Sequence, residues 1–179
     1  MMLNYEEARA LVFQNIKPLE KYTRPLIESQ GLALSADITA PHGMPSFDNS
    51  AVDGYAVQAE DLAEASTENP VLLQILGYIS AGDSGEKQMF SGQCVQIATG
   101  APLPPGANTV VMIEDIEVEG SHVRFTKSIP EKENVRYQGE DISEGDAIIP
   151  AGTMIGPAQI ATLATFGYSK VPVYRVPKV

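Results

Sequence analysis

Apolar positions near the start of the chain recur at a helical interval. Ala8, Leu11, Val12 and Ile16 fall on one face, Asn4 stands where an N-cap belongs, and Glu7 completes a capping-box pattern, predicting a helix that ends by Pro18. The period then loosens. Tyr22 to Leu26 reads as extended, Ile27 to Gln30 as a helical turn closed by Gly31, and Leu32 to Ala40 as an extended or partly helical piece. Glu60 to Asn69, acidic and small, predicts a solvated loop with one helical turn. From Val71 onward the runs are β-rich: Val71 to Ser80, Gln93 to Ala98, Thr109 to Ile116 and His122 to Ile129, separated by Gly, Pro, Asp and Asn clusters. Gly120 and Ser121 have the form of a two-residue hairpin turn. Asp146 to Ile155 predicts two short strands around Pro150 and Gly152. Gly156 and Pro157 open a helix with Ile160, Leu163 and Ala164 as its stripe, Gly167 closes it, and Val171 to Val176 alternates as a strand.

Helical segments near both ends and a β-only middle imply an α+β chain. Residues 1–45 and 142–179 are expected to form one discontinuous mixed domain, with 46–141 as an inserted, barrel-like β domain. No repeat or low-complexity tract is present. The chain closes at Val179 without a polar tail, as expected of a longer protein cut at a domain boundary.

Composition narrows the classes of function. Apolar residues make up 44% of 179, ordinary for a globular protein. Twelve Lys and Arg against 23 Asp and Glu give a net charge of −11, which repels phosphate backbones and anionic lipid heads, so neither nucleic acid nor a membrane surface is an expected partner. No apolar run approaches the roughly 20 residues of a membrane span, and MMLNYEEA lacks the layout of a signal peptide. The single cysteine, Cys94, has no internal disulfide partner and fits a reducing cytoplasm as a small buried hydrophobe.

Three polar stretches have the composition of a site. In PSFDNSAVDGYAV, Asp48, Asn49 and Ser50 are turn residues expected to leave oxygen atoms facing outward, and Asp53 precedes Gly54 at the start of an apolar run. The same residues would equally make an ordinary polar connection into a sheet. In ATGAPLPP, Thr99 beside Gly100 offers a hydroxyl and a backbone N–H to an oxyanion, or else a strand exit stiffened by prolines. In NVRYQGEDIS, Arg136 precedes Asp141 across Gly139. That arrangement suits an anion together with a divalent cation, or a surface pairing of Arg136 with Glu140 or Asp141.

Other chemistries lack support. His42 and His122 have no Cys or second His at zinc-ligand spacing. GDSGEK, from Gly82 to Lys87, lacks the gap and the Ser or Thr of a phosphate loop and reads as a hairpin turn. Neither a G-x-S-x-G elbow nor a G-x-G-x-x-G fingerprint occurs.

Taken together and in order, PSFDNSAVDGYAV, ATGAPLPPGANTVVMIED and NVRYQGEDISEGDAIIPAGTMIGP resemble the molybdopterin molybdenumtransferases, the MoeA family that includes the gephyrin E domain. The resemblance implies a cytoplasmic, homodimeric enzyme that inserts molybdate into adenylated molybdopterin, releasing AMP with the help of Mg²⁺. Molybdopterin adenylyltransferase and the molybdoenzymes are the implied partners. This chain matches the family's first two domains, so the later pterin-binding domains are absent and the chain alone is expected not to turn over. Asp53 matches the aspartate of the family's DGYA motif, Thr99 the threonine of TGAP, and Arg136 and Asp141 the residues around GED. Their chemistry assigns Asp53 and Asp141 to catalysis and to positioning hydrated Mg²⁺, and Thr99, Arg136 and Ser50 to substrate oxyanions. Many relatives carry a basic run before GED, where this chain has Tyr137 and Gln138 after Arg136. A scaffold or docking module, or a molybdate-binding module without transfer chemistry, is the alternative.

Overall fold

The computed structural model describes residues 3–177, in a mixed α/β fold made mostly of strands. Val179, on which the expectation of a cut at a domain boundary rests, lies outside them, as does Met1 at the other end.

Helix α1 (Tyr5–Asn15) starts as the capping box requires: the Glu7 N–H donates to Asn4 Oδ1 and the Asn4 N–H to Glu7 Oε2, both at 2.9 Å. Its apolar face is not covered. Every residue of α1 is exposed, Leu11, Val12 and Phe13 among them. Strand β1 (Lys21–Pro25) follows, then a 3₁₀ turn over Leu26–Glu28 capped by Ser29, with Gly31 at φ 78° in the turn after it, and the short β2 (Ile38–Thr39).

The middle of the chain holds β3 (Asn49–Ser50), β4 (Gly54–Val57), β5 (Val71–Ile79), β6 (Gln93–Ile97), β7 (Thr109–Met112), β8 (Ile116–Glu119), β9 (His122–Phe125) and β10 (Val135–Arg136). Six of these form one sheet in the order β7-β4-β6-β5-β9-β8, and β3 pairs with β10. The run from Thr109 to Ile116 is broken, because Ile113–Asp115 forms a 3₁₀ turn between β7 and β8. Gly120 and Ser121 do form the β8–β9 hairpin turn, with Glu119 opposite His122. GDSGEK does not form a hairpin. Strands β5 and β6 run parallel, which requires a crossover in place of a tight turn.

Strand β4 is buried on both faces, since Tyr55 and Val57 enter one apolar cluster with Cys94, Leu73 and Phe125 while Ala56 enters another with Val95, Ile97 and Val110. Its first residue must be glycine for a steric reason. A Cβ on Gly54 would run into the Val111 carbonyl of β7.

The chain then returns through β11 (Ala147–Ile149), α2 (Pro157–Thr165) and β12 (Lys170–Tyr174). β12 pairs with β1 and β11 with β2, around a core of Leu26, Leu34, Ile38, Ile149, Ile155, Leu163, Val171 and Val173. In α2, Leu163 is buried as the stripe predicts, but Ala164 is exposed.

Two compact units result. One takes in the chain up to Pro41 and again from Gly145, and the other runs from His42 to Glu144. Residues 42–45 and 142–144 belong with the middle unit, contrary to the expected boundaries, because the Met44 N–H donates to Ile142 O at 2.8 Å and the Asp141 N–H to Met44 O at 3.0 Å.

Candidate functional site

All five candidate residues lie in the middle unit, and β3 connects the loops that carry them. The Ser50 N–H donates to Ala101 O at 3.0 Å and the Gly100 N–H to Ser50 O at 2.8 Å, fixing the TGAP loop. On β3's other side Asn49 stands opposite Arg136 and Ser50 opposite Val135, while the Ala51 N–H donates to Asn134 O at 2.9 Å. Asp48 completes the linkage. Its carbonyl accepts from the Leu103 N–H at 2.9 Å, and its carboxylate from the Gln138 N–H at 2.8 Å. The three motifs are thus joined largely through backbone groups, with the Asp48 carboxylate as a side-chain link.

This arrangement corrects the reading of Asn49 and Ser50 as outward-facing turn residues. Both are buried, and the Ser50 hydroxyl donates to Val52 O at 2.6 Å and accepts from the Val52 N–H at 3.3 Å. Partners on both edges satisfy the β3 backbone, and the Ser50 hydroxyl turns onto the Val52 backbone and not outward. Nothing in the residue types announces this, because Asp, Asn and Ser favour turns wherever tertiary pairing does not override them.

Asp53 and Thr99 meet directly. One oxygen of the carboxylate, Oδ1, accepts from the Thr99 N–H at 2.7 Å and from its hydroxyl at 2.9 Å. The Thr99 backbone donor, and after it the hydroxyl, hold the Asp53 carboxyl below the usual aspartate range. Thr99 therefore does not present free donors to an oxyanion, because a carboxylate within reach has already taken them. Asp53 Oδ2 makes no hydrogen bond among the described residues.

Arg136 pairs with both carboxylates of the GED segment. Its Nε donates to Glu140 Oε1 and its Nη2 to Asp141 Oδ2, each at 2.6 Å. Glu140 also accepts from the Tyr137 N–H at 2.9 Å, and that bond, then the guanidinium, lowers its pKa. The same two carboxylates raise that of Arg136, Glu140 foremost. One positive charge is thus set against two negative ones, while the Asp53 carboxylate is held by Thr99 with no cation paired to it among the described residues. The local balance suits a cation, or an anion whose counter-charge comes from elsewhere.

Among the described residues, no group of three or more His, Cys, Asp or Glu could hold a metal ion. Asp53 and Asp141 therefore belong to no closed cage among the described residues. Mg²⁺ demands less, since it keeps several waters and takes one or two carboxylates together with substrate oxygens. Each of the two keeps one oxygen without a hydrogen bond among the described residues, Asp53 Oδ2 and Asp141 Oδ1, but Asp141 is already paired with the Arg136 cation and Asp53 with none, so Asp53 suits that role better.

The segment from Gly43 to Ser143 is closed by a tight backbone contact. A Cβ on Gly43 would lie 2.8 Å from the Gly139 Cα, so the GED loop sits against a position with no side chain. His42 Nδ1 lies 3.0 Å from Gly43 O, and His122 Nδ1 3.1 Å from the Ser121 hydroxyl. No helix is long and apolar enough to cross a membrane among the described residues.

Residues 3–167 match the family described as the MoeA N-terminal region, domains I and II. The chain is 45% identical over 150 residues to a molybdopterin molybdenumtransferase of Bacillus subtilis, covering 82% of this chain and 35% of that protein. It is 34% identical over 172 residues to molybdopterin molybdenumtransferase 2 of Mycobacterium tuberculosis, covering 96% of this chain and 42% of the relative. The molybdopterin biosynthesis MoeA protein of Pyrococcus horikoshii superposes with a TM-score of 0.87 at 33% identity, over 97% of this chain and 46% of that one. The chain thus spans less than half the length of each of these relatives.

Proposed function

This chain belongs to the MoeA family, matching its N-terminal region, and from that membership we propose that it forms part of a transferase that inserts molybdate into adenylated molybdopterin and releases AMP. The observation that best supports this reading is the convergence of all three motifs on β3. On it, the middle unit is the family's inserted β domain and the discontinuous unit its first domain. The remaining parts of the site, including most of the pterin-binding surface and the positive charge that molybdate requires, come from regions beyond the family's first two domains.

The roles within this chain follow from its charge balance. Asp53, ionised and fixed in orientation by Thr99, would hold hydrated Mg²⁺ through Oδ2. Mg²⁺ when bound would polarise substrate oxygens. Thr99 is then a positioning residue. Arg136 holds Asp141 and Glu140 in place, with its remaining nitrogen directed to substrate oxygens. Ser50 acts through its backbone.

A cytoplasmic homodimer is part of the same proposal, with molybdopterin adenylyltransferase and molybdoenzymes as functional partners. The bare apolar face of α1 supports self-association. The test is molybdate-dependent release of AMP from adenylated molybdopterin, by this chain and by the chain extended to the length of its relatives, each with and without Asp53→Ala. Turnover only in the extended parent is the expected result. A folded, Mg²⁺-supplied extended parent that releases no AMP overturns the reading in favour of a scaffold.

A further inference from the structure

Beside Asp53 the middle unit contains a recess of about 220 Å³, lined by Asp53, Gly54, Tyr78, Gln96, Ala98 and Ile113, among others. It adjoins the Asp53–Thr99 bonds, and Tyr78 and Gln96 bring to it two residues from outside the three motifs. Gln96 stands on β6 opposite Tyr55 of β4 and Tyr78 of β5. It lies two residues from Cys94 and so on the same face of the sheet, where the apolar cluster around Tyr55 and Val111 ends.

Tyr78 reaches the rim because β5 is irregular there. The β5–β6 register shifts between Ile75 and Tyr78, at Gly77 with φ 142°. Tyr78 is 55% exposed and Ile113 is 42% exposed, so two apolar surfaces border a polar floor. Neither the Gln96 amide nor the Tyr78 hydroxyl makes a hydrogen bond among the described residues, and Asp53 Oδ2 is likewise unpartnered.

A half-buried carboxamide offers a donor and an acceptor side by side, the pattern that matches the edge of a nitrogen heterocycle. An exposed tyrosine ring on one wall supplies a stacking face for the same flat group. From this geometry we infer that the recess is a binding subsite for a planar nitrogen heteroaromatic ring, with Gln96 reading its edge and Tyr78 and Ile113 covering its faces. The inference deepens the proposed function, on which it rests for a substrate that carries two such rings, a pterin and an adenine. The carboxylate of Asp53 would then lie at the margin of the bound ring, toward the group that reacts.

The test titrates the isotope-labelled chain with pterin-6-carboxylate and, separately, with adenosine monophosphate, following the Gln96 side-chain amide and the Tyr78 ring by NMR. One of the two probes is expected to shift both signals, and which one does so identifies the ring. Gln96→Ala and Tyr78→Ala should each weaken that binding about tenfold or more, while Tyr78→Phe, which keeps the stacking face, should bind as the parent does. Neither probe shifting these signals overturns the inference. So does binding that both alanine variants retain, or binding that Tyr78→Phe loses. Because this readout is independent of AMP release, a subsite that fails in an active extended enzyme leaves the transferase reading intact. Ring binding in an extended enzyme without turnover supports the subsite alone.

Discussion

One oxygen of Asp53 accepts two hydrogen bonds from Thr99, 46 residues further along the chain, at 2.7 Å from the backbone N–H and 2.9 Å from the hydroxyl. The pair leaves an ionised carboxylate with fixed orientation and one free oxygen. Because folding lowers the Asp53 pKa, these bonds favour the folded state above the ordinary aspartate range, and the benefit is lost as pH falls through the folded value. Thr99→Val removes the hydroxyl but keeps the larger backbone contribution. The Asp53 titration midpoint, followed by carboxyl-carbon NMR, should rise and still stay below that of an unperturbed aspartate. An unchanged midpoint would show that the hydroxyl bond is not made.

Arg136 is partly exposed but forms a fork that a point charge cannot copy. Arg136→Lys should change stability in chemical denaturation by less than about 1 kcal/mol. AMP release by the extended enzyme should fall by more than tenfold, since 1.4 kcal/mol of lost positioning is about a factor of ten. Equal and small losses in both measurements would make the pairing a surface feature only.

Gly43→Ala tests the contact that seats the GED loop. The added methyl meets the Gly139 Cα at 2.8 Å, and backbone on both sides limits relaxation, so a cost of about 1–3 kcal/mol is expected. A midpoint equal to the parent's in urea would mean that the loop gives way freely.

Cys94 is fully buried on β6, with its Sγ 3.8 Å from Leu73 O, and burial pushes its thiol up to about 12. In native protein it should not react with a thiol reagent at neutral pH, and should do so once denaturant unfolds the chain. Reaction at the rate of a free thiol would show that the sheet opens locally.

Leu11→Glu falls on an α1 face that buries nothing. Its effect on monomer stability should stay within about 0.5 kcal/mol. If the chain self-associates through this helix, sedimentation velocity will show the variant as monomer where the parent is dimer. An unchanged distribution removes α1 from the association.

What the sequence reveals depends on how local the cause is. The capping box at Asn4 and Glu7, the Gly120–Ser121 turn and the alternation of Val171 and Val173 are set by neighbours in the chain, and each is legible in advance. Asn49 and Ser50 become a strand only because Val135 and Arg136 lie opposite them, a long-range cause without a local signature. The parallel β5–β6 pairing is hidden in the same way, as loop residues look alike whether the chain turns back or crosses over. At the site, the motifs identify Asp53, Thr99, Arg136 and Asp141, but not that Thr99 serves Asp53 or that Arg136 is balanced by two carboxylates. Gln96 and Tyr78 carried no signal, since a polar residue and an aromatic in neighbouring strands are common on any half-exposed sheet.

The contacts of β3 with the other two loops are made by main-chain atoms, so they are indifferent to most substitutions and sensitive to spacing. Between Asp48 and Asp53 the quantity under constraint is the number of residues. Inserting or deleting one within β3 would change which carbonyl and N–H face each neighbour, and would disconnect two distant loops without altering a residue of either.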